Sequence, residues 1–188
     1  MKVIEDPLRE TWNELAQRPQ LELGFLESSV RNIINRVKKS GDQALRELTL
    51  QYDKADIKAL QVTGAEVKDA EKSLSEELKN AIRIAYENIT KFHIAQKREV
   101  IEMETTPGVR CWRQGVPISK VGIYIPGGSA PLFSTVLMLA TPAKLAGCSE
   151  MILCTPPDGS GDINPAILYA AQLTGVTKIF KVGGAQAI

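Results

Sequence analysis

Residues 121–133, VGIYIPGGSAPLF, run on through STVLMLATPAKLAGCSEMILCTPP to residue 157. The order is an apolar run, a glycine turn, a helix-length apolar stretch and a second apolar run. Gly147 stands where a glycine closes a helix, and Pro131 sits where a first-turn proline is tolerated. A third apolar run, KIFKV at 178–182, follows the segment opened by Asn164-Pro165 and closed by Gly175. The pattern predicts βαβαβ with a parallel sheet, and the uninterrupted apolar runs predict strands covered by helices on both faces. Pro142 falls within the first crossover helix, which is expected to kink or restart there with Thr141 as a local cap. The loop DGSGD at 158–162 reads as a flexible connector without chemistry.

Upstream the period changes. Val30, Ile33, Ile34 and Val37 recur at helical spacing, with Ser28 or Ser29 as the expected N-cap and Gly41 as the stop. Asp42 opens a second helix whose apolar face carries Ala44, Leu45 and Leu48 and which ends near Tyr52. Thr63 and Glu66 form a T-x-x-E capping box, and Ile82, Ala85, Ile89 and Phe92 are expected on one face of a longer helix. Between Val100 and Ile118, two extended segments flank Pro107-Gly108 and predict a hairpin. The fold class is therefore α/β: a helical segment with a small β-hairpin over 1–119, then an incomplete Rossmann-like parallel βαβαβ unit over 120–188. The last residues, GGAQAI, set a Gly183-Gly184 turn after a strand and stop within what should be the next helix. A sheet cut at that point is expected to leave an edge and an apolar face uncovered, favouring association or partial disorder near 183–188.

Bulk properties narrow the function. Among 188 residues, 23 Lys plus Arg balance 22 Asp plus Glu, a net charge of +1 that gives no broad positive field for nucleic acid or anionic membrane. No stretch approaches the roughly 20 apolar residues of a membrane span, and MKVIEDPLRE has no apolar leader core, so a cytoplasmic location is expected. Cys111, Cys148 and Cys154 are odd in number and lack CxxC spacing, which fits reduced thiols better than a disulfide framework or a zinc knuckle.

In an open parallel sheet, ligands bind at the carboxyl ends of strands, beside helix N-termini that favour anions. Gly127, Gly128 and Ser129 occupy that position. Their spacing is not G-x-G-x-x-G, and no acid ends the second strand to hold a ribose hydroxyl, so a plain tight turn and a nucleotide-binding turn both remain open. Tyr124 can stack on a base or ribose, or pack in the core with its hydroxyl satisfied. Gln186 can reach a ligand from the last glycine turn. His93, the single histidine, has no partner at metal-ligand spacing and reads as structural. Nothing marks the cysteines as nucleophiles, and no G-x-S-x-G elbow supports a hydrolase.

The wording of VGIYIPGGSAPLFSTVLMLATPAKLAGC, ILCTPP and ILYAAQLTGVTKIFKVGGAQAI closely resembles histidinol dehydrogenase. The resemblance extends through GDQALRELTLQYDK, NITKFHIAQK and TPGVRCWRQ. It implies an NAD- and zinc-dependent oxidation of L-histidinol through L-histidinal to L-histidine, in a homodimer. It places NAD contacts on Tyr124 and Gln186 and sets Tyr52 near the adenine. It also implies that the catalytic His and Glu, and the zinc-holding Gln, His and Asp, belong to a portion beyond residue 188. The chain alone is then expected to be inactive. A second hypothesis is a non-catalytic nucleotide-binding or dimerisation module.

Overall fold

The computed structural model describes residues 3–17, 24–128 and 130–188. A short 3-10 turn (Arg9–Thr11) and one-turn helix α1 (Trp12–Leu15) precede α2 (Gly24–Asp53), α3 (Gly64–Ser73) and α4 (Glu76–Ile94). The hairpin β1 (Ile101–Thr106) and β2 (Val109–Arg113) follows. Then come β3 (Lys120–Tyr124), α5 (Phe133–Ala146), β4 (Glu150–Thr155), α6 (Pro165–Thr174), β5 (Lys178–Lys181) and a 3-10 turn, η2 (Ala185–Ala187).

Gly41 divides α2 into two arms. Its φ of 51° and ψ of −132° leave the helical region, a conformation that costs glycine little and other residues much. The bend is sharp enough for Arg36 to reach Glu47 at 3.3 Å and Gln51 at 3.4 Å, whereas 11 residues of straight helix would hold two positions about 16 Å apart. The first arm begins at Gly24, so Ser28 and Ser29 lie inside it and neither is the N-cap.

The T-x-x-E pattern forms a full capping box. Thr63 Oγ1 accepts from Glu66 N at 3.2 Å, and Glu66 Oε2 accepts from Thr63 N at 2.7 Å. In α4, capped by Ser75, Ile82 is buried and Ala85 and Ile89 pack on the core. Phe92 departs from that face and stands 65% exposed, because the last turn of α4 projects beyond the core. The hairpin is antiparallel, turns at Gly108 with φ 85°, and is exposed on both faces, with a cross-strand Arg110–Glu102 pair.

The parallel sheet has the order β3-β4-β5. Two crossovers stepping the same way across a sheet, each right-handed as such connections are, place both helices on one face. That face buries Ile123, Met151, Leu153 and Ile179 against Val136, Leu137 and Ala140 of α5 and Ile167, Ala170 and Ala171 of α6. Helix α3 packs on α6 and α4 on α5, so the upstream helices share this core. Arg83 Nε of α4 donates to the buried Tyr169 hydroxyl of α6 at 3.0 Å.

Helices on both faces are not what forms. Burial alternates along β4, and the second face carries Tyr124, Ile152, Cys154 and Phe180 only half-buried. A smaller cluster of Ala55, Ile57, Leu60 and Val182, joined by Leu45 and Ala187, covers its carboxyl end. The β5 edge is closed by residues 60–62: Val62 N donates to Ile179 O and Lys181 N to Leu60 O. Beyond β5, residues 185–187 pack on α2.

Three further expectations shift. Helix α5 is continuous through Pro142, and Thr141 Oγ1, although buried, makes no hydrogen bond and caps nothing. The carbonyl that Pro142 cannot bond is that of Met138, which lies on the exposed side where water can serve it. Pro131 precedes the helix, whose N-cap is Leu132. Residues 158–162 form a closed turn, with Asp158 Oδ1 accepting from Ser160 N at 2.9 Å and Asp162 N at 3.0 Å, so the flexible connector is a self-bonded loop.

Candidate functional site

The loops leaving β3, β4 and β5 meet around one proline. An added Cβ at Gly127 would lie 2.7 Å from Pro156 Cγ, and one at Gly183 would lie 2.5 Å from Pro156 Cβ. Neither position has room for a side chain, so these two glycines serve loop-on-loop packing. Gly128 differs: nothing lies within 4 Å of its added Cβ.

Two cavities open at this carboxyl edge, one on each face of the sheet. The helix-side cavity, about 630 Å³, is lined by Gly127, Gly128, Thr155, Asp158, Asp162 and Lys181, among others. Its floor holds an ion pair absent from the sequence expectations: Lys181 Nζ lies 2.6 Å from Glu66 Oε1, with the Lys181 side chain only 11% exposed. Burial pushes the Glu66 carboxyl up, but the Lys181 ammonium and the Thr63 donors outweigh it and hold the group below the ordinary glutamate range. The signal in the sequence was parity, since Lys181 shares the inward face of β5 with Ile179. A lysine on an inward face requires a partner.

The second cavity, about 480 Å³, lies on the half-covered face between Leu45 and Arg46 of α2, Cys154, Phe180 and Gln186. Tyr124 shares this face, paired with Cys154 in register. The Tyr124 hydroxyl accepts from Gly184 N at 3.0 Å. Gly184, at φ 64°, also has the Gln186 amide folded over it, for an added Cβ there would meet Gln186 Oε1 at 2.7 Å. The two side chains singled out in the sequence thus converge on one glycine, although they are 62 positions apart in the chain. The Gly127-Gly128 turn faces the other cavity, so the glycine pair and the Tyr124–Gln186 pair do not line one pocket. Ser129 lies outside the described residues. Tyr52, near the end of α2, is 55% exposed.

His93 Nδ1 lies 3.0 Å from Gln96 Oε1, and its ring meets Phe92 edge-on. The three cysteines are free, and burial pushes the Cys154 thiol up, away from the thiolate a nucleophile needs. Among the described residues, no three His, Cys, Asp or Glu side chains gather as a metal site would require, and no helix is long and apolar enough to cross a membrane.

Comparison with known proteins agrees with this fold. The family model described as histidinol dehydrogenase matches residues 16–188. The histidinol dehydrogenase of Bacteroides fragilis strain YCH46 is 57% identical over all 188 residues, which correspond to 44% of its own length. That of Escherichia coli K12 is 50% identical over 180 residues, covering 95% of this chain and 41% of the relative. The crystal structure of histidinol dehydrogenase from Elizabethkingia anophelis superposes with a TM-score of 0.90 at 50% identity, over 96% of this chain and 42% of that one. The chain therefore spans less than half the length of the relatives it matches.

Proposed function

Because the chain belongs to the histidinol dehydrogenase family, we propose that it supplies one wall of the NAD site of an enzyme that oxidises L-histidinol through L-histidinal to L-histidine. The observation that carries this reading is the convergence of Tyr124 and Gln186 on Gly184 at the carboxyl end of a parallel sheet.

The residues fit an adenine dinucleotide. The Tyr124 ring is half-exposed at the strand end and its orientation is locked by the Gly184 N–H, so it offers a flat surface to a base or ribose. The Gln186 amide, half-exposed, carries both donor and acceptor. Across the carboxyl edge, on the helix-side cavity, Gly128 leaves open space above its backbone where a charged group can approach. When bound, NAD supplies the acceptor for the hydride that leaves the alcohol carbon. In this reading the chain's residues bind and orient; among the described ones none is positioned as a base. His93 is tied to Gln96 at the far end of α4, and the thiols are held protonated or lie elsewhere.

Zinc does not fit the described residues, among which no three His, Cys, Asp or Glu side chains gather as a ligand set, and no step is assigned to it within this chain. The metal ligands and the base belong, in this reading, to the further length that the relatives possess. A homodimer and a cytoplasmic location complete the proposal. The 188-residue chain alone should produce no NADH from L-histidinol. A chimera joining residues 1–188 to the remainder of the Bacteroides fragilis relative should produce it, and Tyr124→Ala or Gln186→Ala in the chimera should raise KM for NAD by about tenfold or more. A well-folded chimera without turnover, or unchanged KM in both variants, refutes the assignment.

A further inference from the structure

The helix-side cavity contains two polar side chains that the fold takes out of water and leaves with bonding capacity to spare. Thr155 and Lys181 are register partners at the carboxyl ends of β4 and β5, so their backbones lie about 4.8 Å apart and their side chains stand on the same face of the sheet. Both line the cavity. Thr155 is 1% exposed and Lys181 9%. The Thr155 hydroxyl makes no hydrogen bond to a described residue. A lysine ammonium has three donors, and among the described residues that of Lys181 meets only Glu66.

Glu66 holds this ammonium in place. Its Oε2 accepts from Thr63 N and Thr63 Oγ1 at 2.7 and 2.8 Å, which anchors the carboxylate while Oε1 faces Lys181. The floor therefore carries a fixed pair of opposite charges with donors left over. Asp158 and Asp162, in the loop between β4 and α6, also line the cavity; both are exposed, and neither pairs with a lysine or arginine among the described residues. Asp69 lines it too but is paired with Lys72. Val62, Ile163 and Ile167 add apolar wall.

This pattern of charge selects a ligand. A bare anion would meet one ammonium already neutralised by Glu66 and three further carboxylates, and a bare cation would leave the Thr155 and Lys181 donors unmet. A zwitterionic head group serves both signs: its carboxylate accepts from Lys181 and Thr155, and its ammonium faces Glu66. The unpaired Asp158 and Asp162 carboxylates favour a cationic side chain on the same ligand and repel an acidic one. We propose that the helix-side cavity is a binding site for a free basic α-amino acid, on the face of the sheet opposite Tyr124 and Gln186. This goes beyond the dinucleotide reading and stands without it. No bond is made or broken.

Titration of the 188-residue chain with L-arginine, followed by backbone amide resonances in NMR, should give saturable shifts centred on Thr155 and Lys181, with an affinity of about 1 mM or tighter. Agmatine, the same molecule without its carboxylate, should bind about tenfold or more weaker. L-Glutamate and inorganic phosphate should give no saturable shift there. Lys181→Met should bind L-arginine and agmatine alike, and Thr155→Val, which removes the hydroxyl, should narrow the preference about threefold; if Lys181→Met does not fold, Thr155→Val decides. Absence of saturable shifts with L-arginine, shifts centred elsewhere, equal binding of L-arginine and agmatine, saturable binding of phosphate or L-glutamate, or a preference that survives unchanged in the folded variants overturns the site. None of these results bears on Tyr124 and Gln186, which the KM for NAD tests separately.

Discussion

The two faces of the parallel sheet have the same backbone and opposite duties. The helix-covered face buries Ile123, Leu153 and Ile179 at 7%, 0% and 7% exposure. The other keeps Tyr124, Cys154 and Phe180 half-open. The difference is topological: two right-handed crossovers in one direction spend both helices on one side, and the second arm of α2 with residues 185–187 covers only the far corner of the other. Stability concentrates where the cover is complete, and the Tyr124 and Gln186 side chains meet at Gly184 where it is not.

Neighbouring residues on β4 test this division most strongly. Leu153→Ala should cost about 3 kcal/mol in urea denaturation, the usual range for a fully buried leucine whose cavity cannot collapse. Cys154→Ala, one residue on and facing the other way, should cost about 1 kcal/mol or less. Similar losses at both positions would mean that the two faces are equally packed.

Next in size is the proline around which the strand-end loops close. Gly183→Ala should cost about 2 kcal/mol, since the methyl must displace Pro156, which would lie 2.5 Å away. Gly128→Ala, with nothing within 4 Å, should lie within about 0.5 kcal/mol of the unmodified chain. Thermal melts of the pair decide whether the glycines in this region serve packing or ligand access.

The ion pair beneath the helix-side cavity sharpens the contrast through pH. Glu66→Gln leaves the Lys181 ammonium buried without its counter-charge. The loss should be about 1–2 kcal/mol, less than for a fully buried pair because Glu66 keeps 34% of its side chain exposed. Glu66 has its folded value below the unfolded one. Its contribution is therefore present above the ordinary glutamate value of about 4.3 and is lost as pH falls through the lowered folded value. Between neutral pH and that range Glu66→Gln should melt below the unmodified chain, and the gap should narrow in stronger acid. A gap independent of pH would show that the pair is not ionised.

What the sequence disclosed follows from how far each interaction reaches along the chain. The capping box at Thr63 and Glu66, the stop at Gly41 and the turn at Gly108 depend on a few adjacent residues and were legible. Strand parity was legible too, but coverage of the second face was not, because uninterrupted apolar runs look alike whether one face or both receive helices. The Glu66–Lys181 pair joins positions 115 apart in the chain, and no local period encodes it. Tyr124 and Gln186 were singled out by their places at a strand end and a glycine turn and then by family wording; only the folded turn brings both to Gly184.

The smallest effect concerns that turn. Tyr124→Phe keeps the ring and removes one acceptor, the hydroxyl that Gly184 N–H meets at 3.0 Å. The exchange should cost about 1 kcal/mol or less of stability, since the freed N–H lies at an exposed turn where water can replace the lost partner. Its effect on nucleotide affinity should be larger in proportion. The hydroxyl fixes both the ring and the glycine over which the Gln186 amide folds, so its loss frees two side chains that must then be ordered on binding. Titration of ADP into the variant should show about threefold to tenfold weaker binding, whereas Tyr169→Phe, which removes the hydroxyl bonded to Arg83 on the helix-covered side, should leave affinity unchanged. Weakened binding in both would mean that the two faces are energetically coupled. Weakening in Tyr124→Phe alone confines ligand binding to the open face.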